Sequence, residues 1–303
     1  MLPINLAPGG PQISPIVYGT WRLLADPALA TPQAIARRLQ LCADLGVTTI
    51  DTAEIYGGYE VEERLGQALA LAPELKQRLQ FITKFGIYVP NARHPERQTA
   101  FYDASAERIA KSTDKSLRLL GIDAVDVLLV HRPDWFTPAQ ETAEGLEQIM
   151  ATGKVKAVGV SNYTVPQFAL LQSCLAQPLV TNQLEVSLLA MGALYDGTLD
   201  QCQQHKIRPM AWSPLGGGRL LAGEDPAAVR VANACAAMSE KYGGASASTL
   251  LHAWVMAHPA GCVPVLGTNK EERLADVVAA AGIKMERQDW YALWQAAKGH
   301  KIP

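Results

Sequence analysis

Eight short β-rich runs, each followed by a loop and a segment of helical periodicity, constrain this chain more than any other feature. The runs are Ile16–Gly19, Thr48–Asp51, Gln80–Thr83, Val125–Val130, Ala157–Val160, Val180–Gln183, Arg208–Trp212 and Val263–Leu266. Helical candidates between them include Thr31–Leu45, Ser105–Leu120, Glu141–Thr152 and Pro226–Tyr242. Strands that alternate with helices pair in parallel. Eight such α/β units close into a (β/α)8 TIM barrel. An open doubly wound sheet is the competing arrangement, but its Gly-rich strand–turn–helix fingerprint is missing near the start. The 303 residues suit a single barrel domain over 1–303 with two additions. The first eleven residues, rich in Gly and Pro, are expected to cap the barrel bottom, and Arg287–Lys298 to form an extra amphipathic helix.

Bulk properties narrow the function. A net charge of −2 gives no general pull toward nucleic acid or anionic lipid. No apolar run reaches the roughly 18 residues of a membrane span, and the N-terminus does not read as a signal peptide. Cys42, Cys174, Cys202, Cys235 and Cys262 are scattered and odd in number, which fits a reducing cytoplasm rather than a disulfide framework. No HExxH, HxH or CxxC spacing suggests a metal. No GxSxG suggests a nucleophilic serine.

What remains is a set of titratable residues at strand ends. Asp51 closes the second run, with Tyr56 shortly after it in Asp-Thr-Ala-Glu-Ile-Tyr-Gly. Lys84 closes the third and His131 the fourth. The C-terminal ends of barrel strands are where such folds assemble active sites. A phenol, with an ordinary pKa of about 10, is too weak an acid for efficient proton transfer at neutral pH. A neighbouring ammonium lowers that value. Lys84 is the expected neighbour, with Asp51 holding Lys84 charged and His131 orienting a carbonyl or relaying the proton.

A second constellation follows in the C-terminal half. Ser161 and Asn162 end the fifth run, Gln183 the sixth, and their side chains match the donors and acceptors of a carboxamide. Trp212 offers a flat face to a planar ring. Ser213, Leu215, Gly216, Gly218 and Arg219 follow the seventh run; Gly267 and Thr268 follow the eighth. Loops after strands seven and eight commonly bind phosphate in barrels, and backbone N–H groups there suit a pyrophosphate. Lys270 and Arg273 suit a separate phosphate monoester.

Taken together these segments resemble the aldo-keto reductases over about Tyr18 to Ala281. The marks are Gly19-Thr20-Trp21, Gly46 to Gly57, Lys84, Asp126 to His131, Gly153 to Asn162, Asn182-Gln183, Trp212 to Leu215 and Pro264 to Thr268. His-Arg-Pro-Asp followed by Met-Ala-Trp-Ser-Pro-Leu-Gly-Gly-Gly-Arg is most similar to a bacterial subgroup of uncertain substrate. The resemblance implies a TIM barrel that binds NADP(H) along its C-terminal face and reduces a small aldehyde or ketone. It places the tetrad on Asp51, Tyr56, Lys84 and His131, with Tyr56 as proton donor. It sets the nicotinamide against Ser161, Asn162, Gln183 and Trp212, and the 2′-phosphate against Lys270 and Arg273. Thr20 and Trp21 then line the ribose and substrate side. It also implies a monomer in the cytoplasm.

Two departures matter. Where many members grip the adenine with an acid and an amide after the arginine, this chain has Asp276 and Val277. Where many have an aromatic residue after the histidine, it has Arg132. Arg132 could attract an acidic or phosphorylated substrate, or pair with Asp134. Trp21, Tyr88, Trp135 and Phe136 are further candidates for the pocket wall. Two rival functions stay open: a Schiff-base lyase using Lys84 as nucleophile, and an NADPH-binding regulatory subunit without turnover.

Overall fold

The computed structural model describes residues 1–302. Its centre is a closed barrel of eight parallel strands in sequential order: β1 (Val17–Gly19), β2 (Thr49–Asp51), β3 (Gln80–Phe85), β4 (Val127–Val130), β5 (Val158–Ser161), β6 (Asn182–Glu185), β7 (Met210–Trp212) and β8 (Val263–Leu266). The expected barrel is therefore the observed one. Strand ends differ by at most two residues, as where β3 runs on to Phe85. Val125 joins Val155 only through an isolated bridge.

Parallel strands between barrel interior and helices are apolar on both faces, so their side chains are buried almost throughout. Register then decides which polar groups meet. Gly19 pairs with Asp51, Asp51 with Ile82, Lys84 with Leu129 and Gln183 with Ser161. Alternation along β3 turns Lys84 into the barrel and Thr83 outward onto the surrounding helices, where its hydroxyl donates to Glu62 at 2.6 Å.

The helices begin where the sequence supplies caps. Thr31 and Ser105 cap Pro32–Asp44 and Ala106–Leu120 through side-chain oxygens, and Gly121 ends the second in a left-handed conformation. The expected helix Pro226–Tyr242 stops at Met238 and continues as a 3-10 turn, Glu240–Tyr242. Ile4–Asn5 pairs antiparallel with Gln12–Ile13. The Leu6 carbonyl accepts from Arg208 N at 2.7 Å, which fastens this hairpin under the barrel as its cap. The last helix, Arg287–Lys298, docks through Trp254 and Trp290. Their rings stack at 4.9 Å, and each indole N–H donates to the other's carbonyl. Among the described residues, no helix is long and apolar enough to cross a membrane.

Candidate active site

At the C-terminal ends of the strands lies a cavity of about 830 Å³. Asp51, at the end of β2, and Lys84, near the end of β3, form its floor, and both are sealed from solvent. The Lys84 Nζ donates to Asp51 Oδ1 at 2.7 Å, to the Thr52 carbonyl at 2.9 Å and to Tyr56 Oη at 3.0 Å. Those bonds use all three ammonium donors. Tyr56 reaches this position because the chain reverses through Gly57 and Gly58, both at positive φ. A Cβ on Gly57 would come within 2.9 Å of Leu24 and Val61, so the reversal needs glycine. The His131 ring meets the Tyr56 ring edge-on, with centroids 5.9 Å apart.

Electrostatics assign the protons. Burial disfavours charge on Lys84, but Asp51, and then Tyr56, more than offset it and hold the Lys84 pKa above its ordinary value. Tyr56 is pushed up by burial while Lys84 pulls it down, and burial wins. The expectation of a net lowered phenol is corrected accordingly. Lys84 acts in the expected direction but is outweighed, so Tyr56 retains its proton at neutral pH. Burial, with the charges of Lys84 and Arg132, drives His131 well below the ordinary imidazole value. His131 is therefore neutral, and its Nδ1 is buried without a partner among the described residues.

The second half of the barrel faces the same cavity with neutral donors. The Trp212 Nε1 donates to Asn162 Oδ1 at 3.1 Å, Asn162 Nδ2 to Ser161 Oγ at 2.8 Å, and Ser161 Oγ to the Gln183 carbonyl at 2.9 Å. The Gln183 Nε2 crosses the barrel to Asp51 Oδ2 at 2.7 Å and ties the two halves together. Gly216, Gly217 and Gly218 all have positive φ. Beyond them Gly267, Thr268, Lys270 and Arg273 complete the wall, the two cations exposed.

The cavity gathers Trp21, Asp51, Tyr56, His131, Arg132, Ser161, Asn162, Gln183, Trp212, Ser213, Leu215, Gly218, Gly267, Thr268, Lys270 and Arg273 among its lining residues. Lys84 lies beneath, in contact with it through Tyr56 and Asp51.

Other expected residues are not brought there. Thr20 is fully buried behind the wall, its hydroxyl spent on the Asp51 carbonyl. Gly216 is buried within its turn, and Arg219 folds back to that residue's carbonyl. Tyr88 belongs to a side hairpin, Ile87–Tyr88 with Phe101–Tyr102, where it stacks on Phe101 and bonds Ser112. Trp135 and Phe136 point into solvent, 75% and 97% exposed, the former against Tyr102. Asp134 spends its carboxylate on Ala104 N, Phe136 N and Thr137 Oγ1, not on Arg132.

Sequence reasoning missed Arg22, Asn269, Ser248 and His252 in the wall. Arg22 straps the cavity mouth, its guanidinium donating to the Gly217 carbonyl at 3.2 Å while its own carbonyl accepts from Asn269. Only the last two had a legible signal, a polar pair one turn apart in a helix otherwise apolar but for Thr249.

This fold and this wall define a class, and the sequence places the chain in it. Residues 15–298 match the model of the Aldo/keto reductase family, and the chain belongs to that family of oxidoreductases. It is 43% identical over 293 residues to the 6-dehydroglucose reductase of Agrobacterium fabrum, covering 96% of each chain. It is 42% identical to the oxidoreductase YdhF of Escherichia coli, covering 99% of each. Among solved structures, an aldo-keto reductase from Klebsiella pneumoniae crystallised with NADPH superposes with a TM-score of 0.76 at 29% identity, covering all of this chain and 97% of the other.

Proposed function

We propose that this chain reduces a small polar aldehyde or ketone to the alcohol with NADPH, Tyr56 delivering the proton. The observation that carries the reading is the sealed relay Asp51–Lys84–Tyr56 at the floor of a cavity whose far wall ends in two exposed cations. The wall fits the dinucleotide: Ser161, Asn162 and Gln183 toward the carboxamide, Trp212 toward the nicotinamide ring, and backbone N–H groups about Gly217 and Gly267 toward the pyrophosphate. Lys270 and Arg273 suit the 2′-phosphate, which favours NADPH over NADH. Bound NADPH supplies the hydride that the carbonyl carbon accepts.

The carbonyl oxygen receives the proton of Tyr56, which is retained until then because burial outweighs the pull of Lys84. The phenolate left behind lies 3.0 Å from an ammonium that Asp51 keeps charged. Its stabilisation is greatest as charge develops, which is where it lowers a barrier. Neutral His131 offers a hydrogen bond to the same oxygen without competing for the proton. The arrangement disfavours a Schiff-base role for Lys84, since its donors are all committed and its proton is held.

For the substrate, the geometry supports an oxygen-rich molecule. Arg132 lines the cavity and forms no ion pair among the described residues. The relative from Agrobacterium fabrum is named for an oxidised glucose, and a sugar-derived aldehyde matches a free guanidinium beside the reacting centre. The test is NADPH oxidation against sugar-derived, carboxylated and alkyl aldehydes, with NADH alongside, in the native chain and in Tyr56→Phe. The variant is expected to lose roughly 10²–10⁴-fold in turnover and still bind NADPH. Undiminished turnover removes Tyr56 from the role, and binding without turnover on any substrate favours a regulatory subunit.

A further inference from the structure

We propose that His252, held by the carbonyl of Ser248 one turn earlier, reads the amino group of the cofactor's adenine. The proposal rests on the NADPH reading above. Both residues belong to the helix Ala247–Met256, four positions apart and so on one face, and both line the cavity. That helix is bound to the segment carrying Arg273 and Val277: the Ser246 hydroxyl donates to the Asp276 carboxylate, and Thr249 Oγ1 donates to the Asp276 carbonyl at 3.2 Å. The pair therefore sits at the end of the cavity where Lys270 and Arg273 suit the 2′-phosphate. Val277, which lines the same cavity one turn after the arginine, has no hydrogen-bonding group to offer.

The tautomer of His252 is dictated by its neighbour. Nδ1 lies 2.7 Å from the Ser248 carbonyl oxygen, which can only accept, so Nδ1 carries the proton. Nε2 is left as a bare acceptor, and it is not among the sealed polar atoms of the interior. Burial also holds the ring pKa down, at about 4, so Nε2 stays unprotonated at neutral pH. An acceptor fixed in this way suits an exocyclic amine and opposes a carbonyl. The Ser248 hydroxyl is itself sealed, so this residue acts through its carbonyl, which fixes the imidazole.

The test compares binding of NADPH with binding of its deamino analogue, which carries a carbonyl in place of the adenine amine, by quenching of tryptophan fluorescence. The native chain is expected to bind NADPH about tenfold more tightly, the factor a lost hydrogen bond of about 1.4 kcal/mol gives. His252→Leu should bring the two affinities within about threefold of each other. Reduced nicotinamide mononucleotide, which lacks the adenosine, should bind native and variant chains alike, which a merely structural role would not ensure. Equal affinity for NADPH and the deamino analogue in the native chain overturns the assignment to His252 and leaves the cofactor reading standing. No binding of NADPH at all overturns both.

Discussion

The two halves of the barrel hold their chemistry in opposite ways. In β1 to β4 it resides in titratable side chains that are buried and locked: Asp51 and Lys84 are 2% and 0% exposed at the side chain, and 2.7 Å apart. In β5 to β8 it resides in amides, left-handed glycines and cations open to solvent. Charge that develops during a reaction is best met by groups fixed in a dry site, where they need not reorganise. A bound polyanion needs donors it can reach. The first half should therefore couple activity to folding stability, and the exposed cations of the second should not. Lys84→Met is the severest way to break that contrast. It leaves Asp51 buried with Gln183 as its only side-chain donor, so about 3–5 kcal/mol of stability should be lost, along with roughly 10²–10⁴-fold in turnover. Denaturant unfolding and steady-state rates report both. Adding Asp51→Asn should restore much of the stability and none of the rate. An unshifted unfolding midpoint in Lys84→Met would show that the pair is not held as tightly as its geometry indicates.

A second buried carboxylate in the same half sharpens the comparison, because no cation forms an ion pair with it among the described residues. Glu62 accepts from Thr83 at 2.6 Å and from Ser116 at 2.9 Å on the outer side of β3. Burial raises its pKa from 4.5 to about 7, with the two hydroxyls opposing. The folded state thus keeps the proton more firmly than the unfolded chain. The stabilisation is complete below pH 4.5 and is lost as pH rises toward 7. At about 1.4 kcal/mol per unit, the whole effect is on the order of 3 kcal/mol. Glu62→Gln should flatten this slope in urea titrations run from pH 4.5 to 8, with turnover little changed. An equal slope in the variant would assign the pH dependence to another group.

These contrasts also mark what could be read before the structure. The barrel was legible because strand and helix periods alternate through the whole chain, and Asp51, Lys84 and His131 were legible because strand ends in a barrel share one face. Tyr88 misled because two residues after β3 the chain turns at Gly86, φ 97°, and pairs with Phe101–Tyr102. That long-range pairing leaves no local pattern, and it carries the ring away from the cavity. Thr20 and Arg219 misled for a different reason: proximity in sequence to the site does not say whether a side chain turns toward it or back onto its own backbone. The sign of the Tyr56 shift was beyond reach as well, since it depends on how completely the phenol is buried, and burial outweighs the cation that the sequence did reveal. His252 was visible only as a polar residue in a mostly apolar helix, with nothing to show that the helix starts against the segment carrying Arg273 and Asp276.

The smallest expected effects fall on the open half, and they complete the comparison. Lys270 and Arg273 are exposed and have no carboxylate partner among the described residues. Removing either deletes one charge-assisted contact to a phosphate monoester, about 1.5–3 kcal/mol at most, and less where water screens it. Lys270→Ala and Arg273→Ala should each raise the Kd for NADPH by roughly tenfold. Neither should alter binding of NADH, which lacks that phosphate. Stability should stay within about 0.5 kcal/mol of the native chain, as for other surface substitutions. Raising salt should mimic both variants, because the contact is solvent-exposed. A variant that lowered NADPH and NADH affinity equally would place the cation on the pyrophosphate instead. One that also lowered the unfolding midpoint would show that this half, too, is locked into the fold, and the division between a rigid reactive half and an adjustable binding half would fail.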